Sequence, residues 1–287
     1  MRPRTREAYL SYVVLIGRHF TCDPATLDEG RVRDYFLFLR KERNYAPSSI
    51  ALTLAALRMF YREHLGSGRD WKLWQELKVR RLEPLPTVLS REEVARLLGA
   101  VQCDRFRTIL RLIYHTGLRI REACRLEVID IKREAGRLHV RNAKGGKDRY
   151  VPIAPEMLAD LRRFWCRHRH PKYLFPGMQV DWKAHKEALS ERALRATGPM
   201  SESTVQNAFR LALAASGIKT RATPHTLRHS YATHLLEEGV SIRLISQYLG
   251  HASLETTLIY THLTAVSEAK AVAALQRLFA QSTSTIS

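Results

Sequence analysis

The stretch TPHTLRHSYATHLL, residues 223–236, decides how the rest of the chain is read. Thr223 suits a helix N-cap, Pro224 the first helical position and Gly239 the residue past the end, so one helix is predicted between them. Helical spacing sets His225 and Arg228 on one face near the first turn. A helix start already carries partial positive charge, and a guanidinium beside an imidazole there makes a seat for an anion. Alone, an HxxR pair in a basic helix is an ordinary surface feature. Its meaning depends on what the rest of the chain brings.

Toward the C-terminus, Ser241 opens a helix that Gly250 ends, and Ser253 opens another running through Tyr260. Residues 249–262 read LGHASLETTLIYTH. Beyond them, residues 266–279 form a sparsely charged amphipathic helix. Toward the N-terminus, Ser201 to Gly217 is a helix, LFPG at 174–177 is a loop, and helices resume near Pro155. Residues 178–199 are polar and partly helical, with no clear assignment. Residues 104–127 are helical, broken at Thr116 and Gly117. Between these lie three strand-like runs, VIDIKR, RLHVR and DRYVPI. They predict an antiparallel ribbon with NAKGGK (142–147) as its second turn and Lys144 at the tip.

The first eighty residues read as short helices, near 9–20, 29–43, 50–65 and 71–77. Pro84 and Pro86 mark an extended linker. Ser90 with Glu93 is a capping box, and Leu89 with Val94 a hydrophobic staple. The expected fold is mainly α with a small three-stranded antiparallel β-ribbon, in two domains. Residues 1–80 form a small helical bundle, 81–88 a linker and 89–287 the second domain.

The 287 residues include 47 basic and 28 acidic side chains, a formal net charge of +19. Both halves are basic. Such a field favours a polyanion, with counterion release driving association. The longest apolar runs are too short to span a bilayer, and the N-terminus lacks the apolar core of a secretory signal. Cys22, Cys103, Cys124 and Cys166 have no CxxC spacing; they suit a reducing cytosol, and neither a disulfide framework nor a zinc site is expected.

HTGLRIREACRL (115–126), NAKGGK, the 224–236 helix and LGHASLETTLIYTH hold unusual polar groups, and the last three each place one near a turn or helix end. A phosphodiester would use them. Its charge becomes more exposed as phosphorus turns five-coordinate, and arginine forks can hold two phosphoryl oxygens each. Arg119 and Arg228 are the candidates. No DxD, HExxH or acidic cluster points to a metal ion. Tyr260 is a candidate nucleophile, its phenol needing a base because its free pKa is about 10. His225 can accept that proton, Lys144 can protonate the leaving sugar oxygen, and His251 can hydrogen-bond the phosphate.

Taken together, Arg119 with Glu122, Lys144 on a hairpin, His225-x-x-Arg228, His251 after LG, and Tyr260 nine residues on resemble the tyrosine recombinases, or phage integrase family. The flavour is Xer-like and integron-integrase-like. TGLRIRE resembles the family's first box, and the 223–239 and 249–262 segments its second. TREAYLSYV and APSSIALTLAALRMFY resemble, less specifically, its core-binding domain.

The resemblance implies two domains clamping duplex DNA at an inverted-repeat core site. Tyr260 would form a 3′-phosphotyrosyl bond and free a 5′-hydroxyl. Four protomers would exchange strands through a Holliday junction, with no cofactor and no metal. The family's arginines map to Arg119 and Arg228, its lysine to Lys144, its histidines to His225 and His251, and its supporting acid to Glu122. Ser201 and Ser203 fall where relatives contact DNA, although Glu202 stands where a basic residue is expected. The tail helix corresponds to one docked on a neighbouring protomer. Two other readings stay open: a type IB topoisomerase relaxing supercoils as a monomer, and a non-catalytic DNA-binding relative.

Overall fold

The computed structural model describes residues 3–66, 71–77, 85–141, 148–178, 189–251, 253–261 and 276. The chain divides into two units, Met1–Pro84 and Leu85–Ser287.

The first unit contains α1 (Pro3–Phe20), α2 (Glu29–Lys41), α3 (Pro47–Arg58) and the short α4 (Leu73–Glu76). Asp28 caps α2 by accepting the Arg31 amide at 2.8 Å. The third helix begins at Pro47 rather than Ile50, because a proline costs nothing where its missing N–H would be unpaired anyway. Its end winds as a π-helix over Met59–His64. That turn carries Tyr61 into the core, where its hydroxyl donates to the Pro24 carbonyl at 2.7 Å. Ile16, Val32, Tyr35, Phe36, Leu39, Leu57 and Trp74 complete the core.

The second unit opens with α5 (Arg91–Gly99), held by the expected capping box: Ser90 and Glu93 exchange bonds at 3.2 and 2.9 Å. Then follow α6 (Asp104–Thr116) and α7 (Ile120–Cys124), separated by Gly117. This glycine has φ +64°, and a Cβ there would lie 2.5 Å from the Tyr231 ring. Only glycine fits both the left-handed backbone and that approach.

Strands β1 (Ile131–Lys132), β2 (Arg137–Val140) and β3 (Arg149–Pro152) form an antiparallel sheet in that order. Leu138 pairs with Val151, and His139 with Tyr150. The first strand is shorter than VIDIKR suggests. Asp130 accepts the Glu127 amide at 2.9 Å and binds Arg141 at 2.7 Å, which winds Val128–Asp130 into a 3-10 turn.

The remaining helices are α8 (Pro155–Cys166), α9 (Leu189–Leu194), α10 (Glu202–Ala215), α11 (Pro224–Glu237), α12 (Ile242–Leu249) and α13 (Glu255–Leu258). The quoted stretch is α11, bounded as its sequence predicts. It runs through the interior, with Leu227, Arg228, Ser230, Ala232 and Thr233 all buried. Helix α13 is shorter than expected, since Tyr260 closes a 3-10-type turn on the Thr257 carbonyl at 3.1 Å. All four cysteines are free. Among the described residues, no helix is long and apolar enough to cross a membrane.

Candidate active site

The site is built where three chain breaks meet: the Gly117 turn before α7, the start of α11, and the Gly250 turn after α12. Arg119 precedes α7 and Glu122 lies in its first turn. The Glu122 carboxylate accepts the Arg119 amide at 2.8 Å and its guanidinium at 2.9 Å. Arg119 also reaches the Gly250 carbonyl, at 3.4 Å.

A third residue completes this pair. Arg149, on β3, donates both terminal nitrogens to Glu122 at 2.9 and 2.7 Å, and its Nε to the Tyr248 carbonyl at 2.8 Å. Burial alone would push the Glu122 carboxyl up, but Arg149 and Arg119 outweigh it and hold the pKa at about 2. Once the ribbon is folded, Arg149 faces its apolar side with Val151, where a charge needs a reason.

Arg228 is 1 % exposed. Its terminal nitrogens donate to the Gly117 carbonyl at 2.5 Å and the Leu249 carbonyl at 2.7 Å. These acceptors orient the guanidinium without neutralising it. Burial, and then the charge of Arg119, push its pKa down to about 9. Arg119 and Arg149 thus share one carboxylate, Glu122, while Arg228 has only backbone carbonyls. An incompletely compensated buried charge is costly, and an anion entering the site would offset it.

Tyr260 is 2 % exposed. Its ring joins a small cluster with Tyr231, Ala232, Ile245 and Leu249. Its oxygen does not face that apolar cluster alone: the hydroxyl lies 2.8 Å from Nδ1 of His229. The His251 ring stacks on the phenol at 6.5 Å, and its Nδ1 is 2.8 Å from the Thr257 hydroxyl. Burial raises the phenol's pKa, while Arg228 and Arg119 act against the rise. Burial first, and then neighbouring cations, lower His229 to about 4 and His251 to about 3, so both are neutral near pH 7.

His225, expected beside the phenol, is solvent-exposed at the start of α11. Its ring meets His229 edge-on at 4.7 Å. The sequence signal for His229 is its spacing alone: it falls one helical turn after His225 and so shares its face. Ser201 caps α10, accepting the Thr204 amide at 3.2 Å and pairing with Ser203 at 3.0 Å. Glu202 lies 3.9 Å from Arg121. Lys144 and the tail helix at 266–279 lie outside the described residues, apart from position 276. Among the described residues, no group of three or more His, Cys, Asp or Glu is placed to hold a metal ion.

Residues 87–266 match the Phage integrase family, and residues 1–72 match the Phage integrase, N-terminal SAM-like domain. The putative integrase/recombinase y4qK of Sinorhizobium fredii is 37% identical over 260 residues, covering 90% of this chain and 79% of that protein. Tyrosine recombinase XerA of Pyrococcus furiosus is 38% identical over 247 residues, covering 83% and 80%. Among solved structures, a lambda integrase tetramer bound to a Holliday junction superposes with a TM-score of 0.70 at 20% identity, covering 90% of this chain and 72% of that one.

Proposed function

The chain belongs to the phage integrase family, and from that premise we propose that this pocket carries out the covalent step of site-specific DNA recombination. The protein is a tyrosine recombinase. It cuts and rejoins duplex DNA through a 3′-phosphotyrosyl intermediate. Tyr260 attacks the scissile phosphorus and the 5′ oxygen departs. Arg119 and Arg228 hold the phosphoryl oxygens, their planar forks matching the charge that grows in the transition state. His251 adds a hydrogen bond, Lys144 protonates the leaving oxygen, and Glu122 aligns Arg119. His225 and the ring beside it deal with the phenolic proton.

The observation that carries this reading is the pair of guanidiniums bonded to one carboxylate, with the buried Arg228 guanidinium held nearby on carbonyls, next to a phenol that already bonds an imidazole. The bond energy of the cut strand stays in the phosphotyrosine, so rejoining needs no external energy source. Residues 1–80 grip DNA as a helical module, 81–88 link it to the catalytic domain at 89–287, and Ser201 and Ser203 meet the DNA backbone. The lambda integrase in the comparison is a tetramer on a Holliday junction; this chain likewise assembles as a tetramer on paired inverted-repeat sites, exchanging its tail helix between protomers. It acts in the cytoplasm, where its DNA lies.

The test is to incubate the protein with nicked duplexes drawn from its own genomic neighbourhood. The reading expects a denaturation-resistant protein–DNA band and a free 5′-hydroxyl at the cut. A 5′-phosphate, or cleavage without any protein adduct on every duplex tried, would contradict it.

A further inference from the structure

We propose that His229 is the catalytic base for Tyr260. This rests on the function proposed above and names a residue it leaves open. Of the imidazoles at the site, His229 is the one in hydrogen-bond contact with the phenolic oxygen, Nδ1 to Oη at 2.8 Å. In the tautomer that makes the ring a base, the phenol donates and Nδ1 accepts, with the ring's own proton on Nε2. A phenol bonded to the lone pair of a neutral imidazole is set for proton transfer along that bond.

The surroundings keep the ring neutral. His225 and Arg228 from the same helix, His251 from the Gly250 turn and Tyr260 itself face it. Its burial and the nearby positive charge disfavour the imidazolium before reaction. The other imidazoles are differently occupied. His251 has its Nδ1 against the Thr257 hydroxyl and presents its ring face to Tyr260. His225 lies one ring removed, edge-on to His229.

The step balances. The Oη–P bond forms as the P–O5′ bond breaks, and the phenolic proton moves to Nδ1, leaving His229 an imidazolium. The departing O5′ takes its proton from the general acid assigned to Lys144. When a 5′-hydroxyl attacks to rejoin the strand, the same imidazolium returns its proton to the departing phenol. One ring thus serves as base in cleavage and acid in ligation, as microscopic reversibility requires.

Single-turnover cleavage of a nicked duplex, followed from pH 5.5 to 9.5, tests this. His229→Ala should slow the step at pH 7 by roughly 10²–10⁴-fold, the usual worth of a positioned base. Its rate should then climb with pH as solvent removes the proton, while the wild-type rate stays nearly flat above neutrality. Added imidazole should restore part of the alanine variant's rate. His229→Gln, which keeps a hydrogen-bond acceptor but cannot take a proton, should be as slow as alanine and not respond to imidazole. It serves alone if the alanine variant fails to fold. A glutamine variant within threefold of wild type, or a slow variant with the wild-type pH profile and no imidazole response, would overturn the proposal. If wild-type protein itself forms no adduct, the failure belongs to the recombinase reading of the site instead.

Discussion

Arg149 closes both terminal nitrogens on Glu122, at 2.7 and 2.9 Å, from a strand 27 residues further along the chain. Both side chains are nearly buried, 7% and 10% exposed. Removing one partner of such a pair strands the other's charge in the interior. Arg149→Ala should therefore cost about 3–5 kcal/mol, toward the lower end because Arg119 still holds Glu122. Arg149→Lys should fall between, since an ammonium cannot make the two-armed contact. Urea unfolding of the two variants measures this; an alanine loss under about 1 kcal/mol would show the pair to be dispensable.

Gly117 should tolerate no side chain. Gly117→Ala places a Cβ against Tyr231 and Leu249 and keeps φ at +64°. Left-handed strain and overpacking together should cost about 2–5 kcal/mol. The same change displaces the carbonyl that seats Arg228. Cleavage should fall with stability, and the variant should remain slow at low temperature where it is folded.

The two guanidiniums assigned to the phosphate should matter directly to the reaction. Arg119→Ala and Arg228→Ala should each slow covalent-complex formation by roughly 10²–10³-fold, the effect of losing an oxyanion donor. EDTA should leave wild-type adduct formation unchanged, because these forks carry the charge. Rates with and without chelator on one nicked duplex decide it; strict dependence on a divalent ion would argue for a nuclease.

Acid should weaken the second unit before it denatures outright. His168 is fully buried, with its Nδ1 accepting the His170 amide at 3.1 Å, and burial lowers its pKa to about 4. Unfolding returns it to the ordinary value near 6.5, so between these values the unfolded chain binds the extra proton. Stability is then full above about pH 7, falls as pH drops toward 4, and levels off below; His168 alone accounts for about 3 kcal/mol of this. His229 and His251 shift in the same direction. His168→Asn keeps an acceptor for the His170 amide but cannot titrate there, so its unfolding free energy should change less between pH 7 and pH 5. Equal slopes for variant and wild type would remove His168 from the account.

What could be read from the sequence was local. The bounds of α11, the Ser90 and Glu93 box and the Gly117 break rest on caps and on backbone that only certain residues adopt, and these signals need no partner. Arg119, Glu122, Arg228, His251 and Tyr260 lie near such marks, but it is their order and spacing together, in the resemblance to the phage integrase family, that singles them out. The rest depends on distance in space. Arg149 looks like one more surface arginine until the ribbon turns it inward against Glu122. His229 looks like a spacer after Arg228 until Tyr260, 31 residues on, is folded against it. The π turn at Met59–His64 follows from the seating of Tyr61 among Trp71, Trp74 and the Pro24 carbonyl, none of which periodicity reveals.

The central claim is that one phenol takes the DNA strand, and the covalent adduct can be mapped directly. After trapping on a nicked duplex and digestion with nuclease and trypsin, the nucleotide should reside on the peptide between Arg243 and Lys270, which holds both Tyr248 and Tyr260. Fragmentation should place it on Tyr260, and Tyr260→Phe should bind the same duplex without forming any adduct. A nucleotide on Tyr248 or on another peptide, or an adduct that survives Tyr260→Phe, would contradict the account.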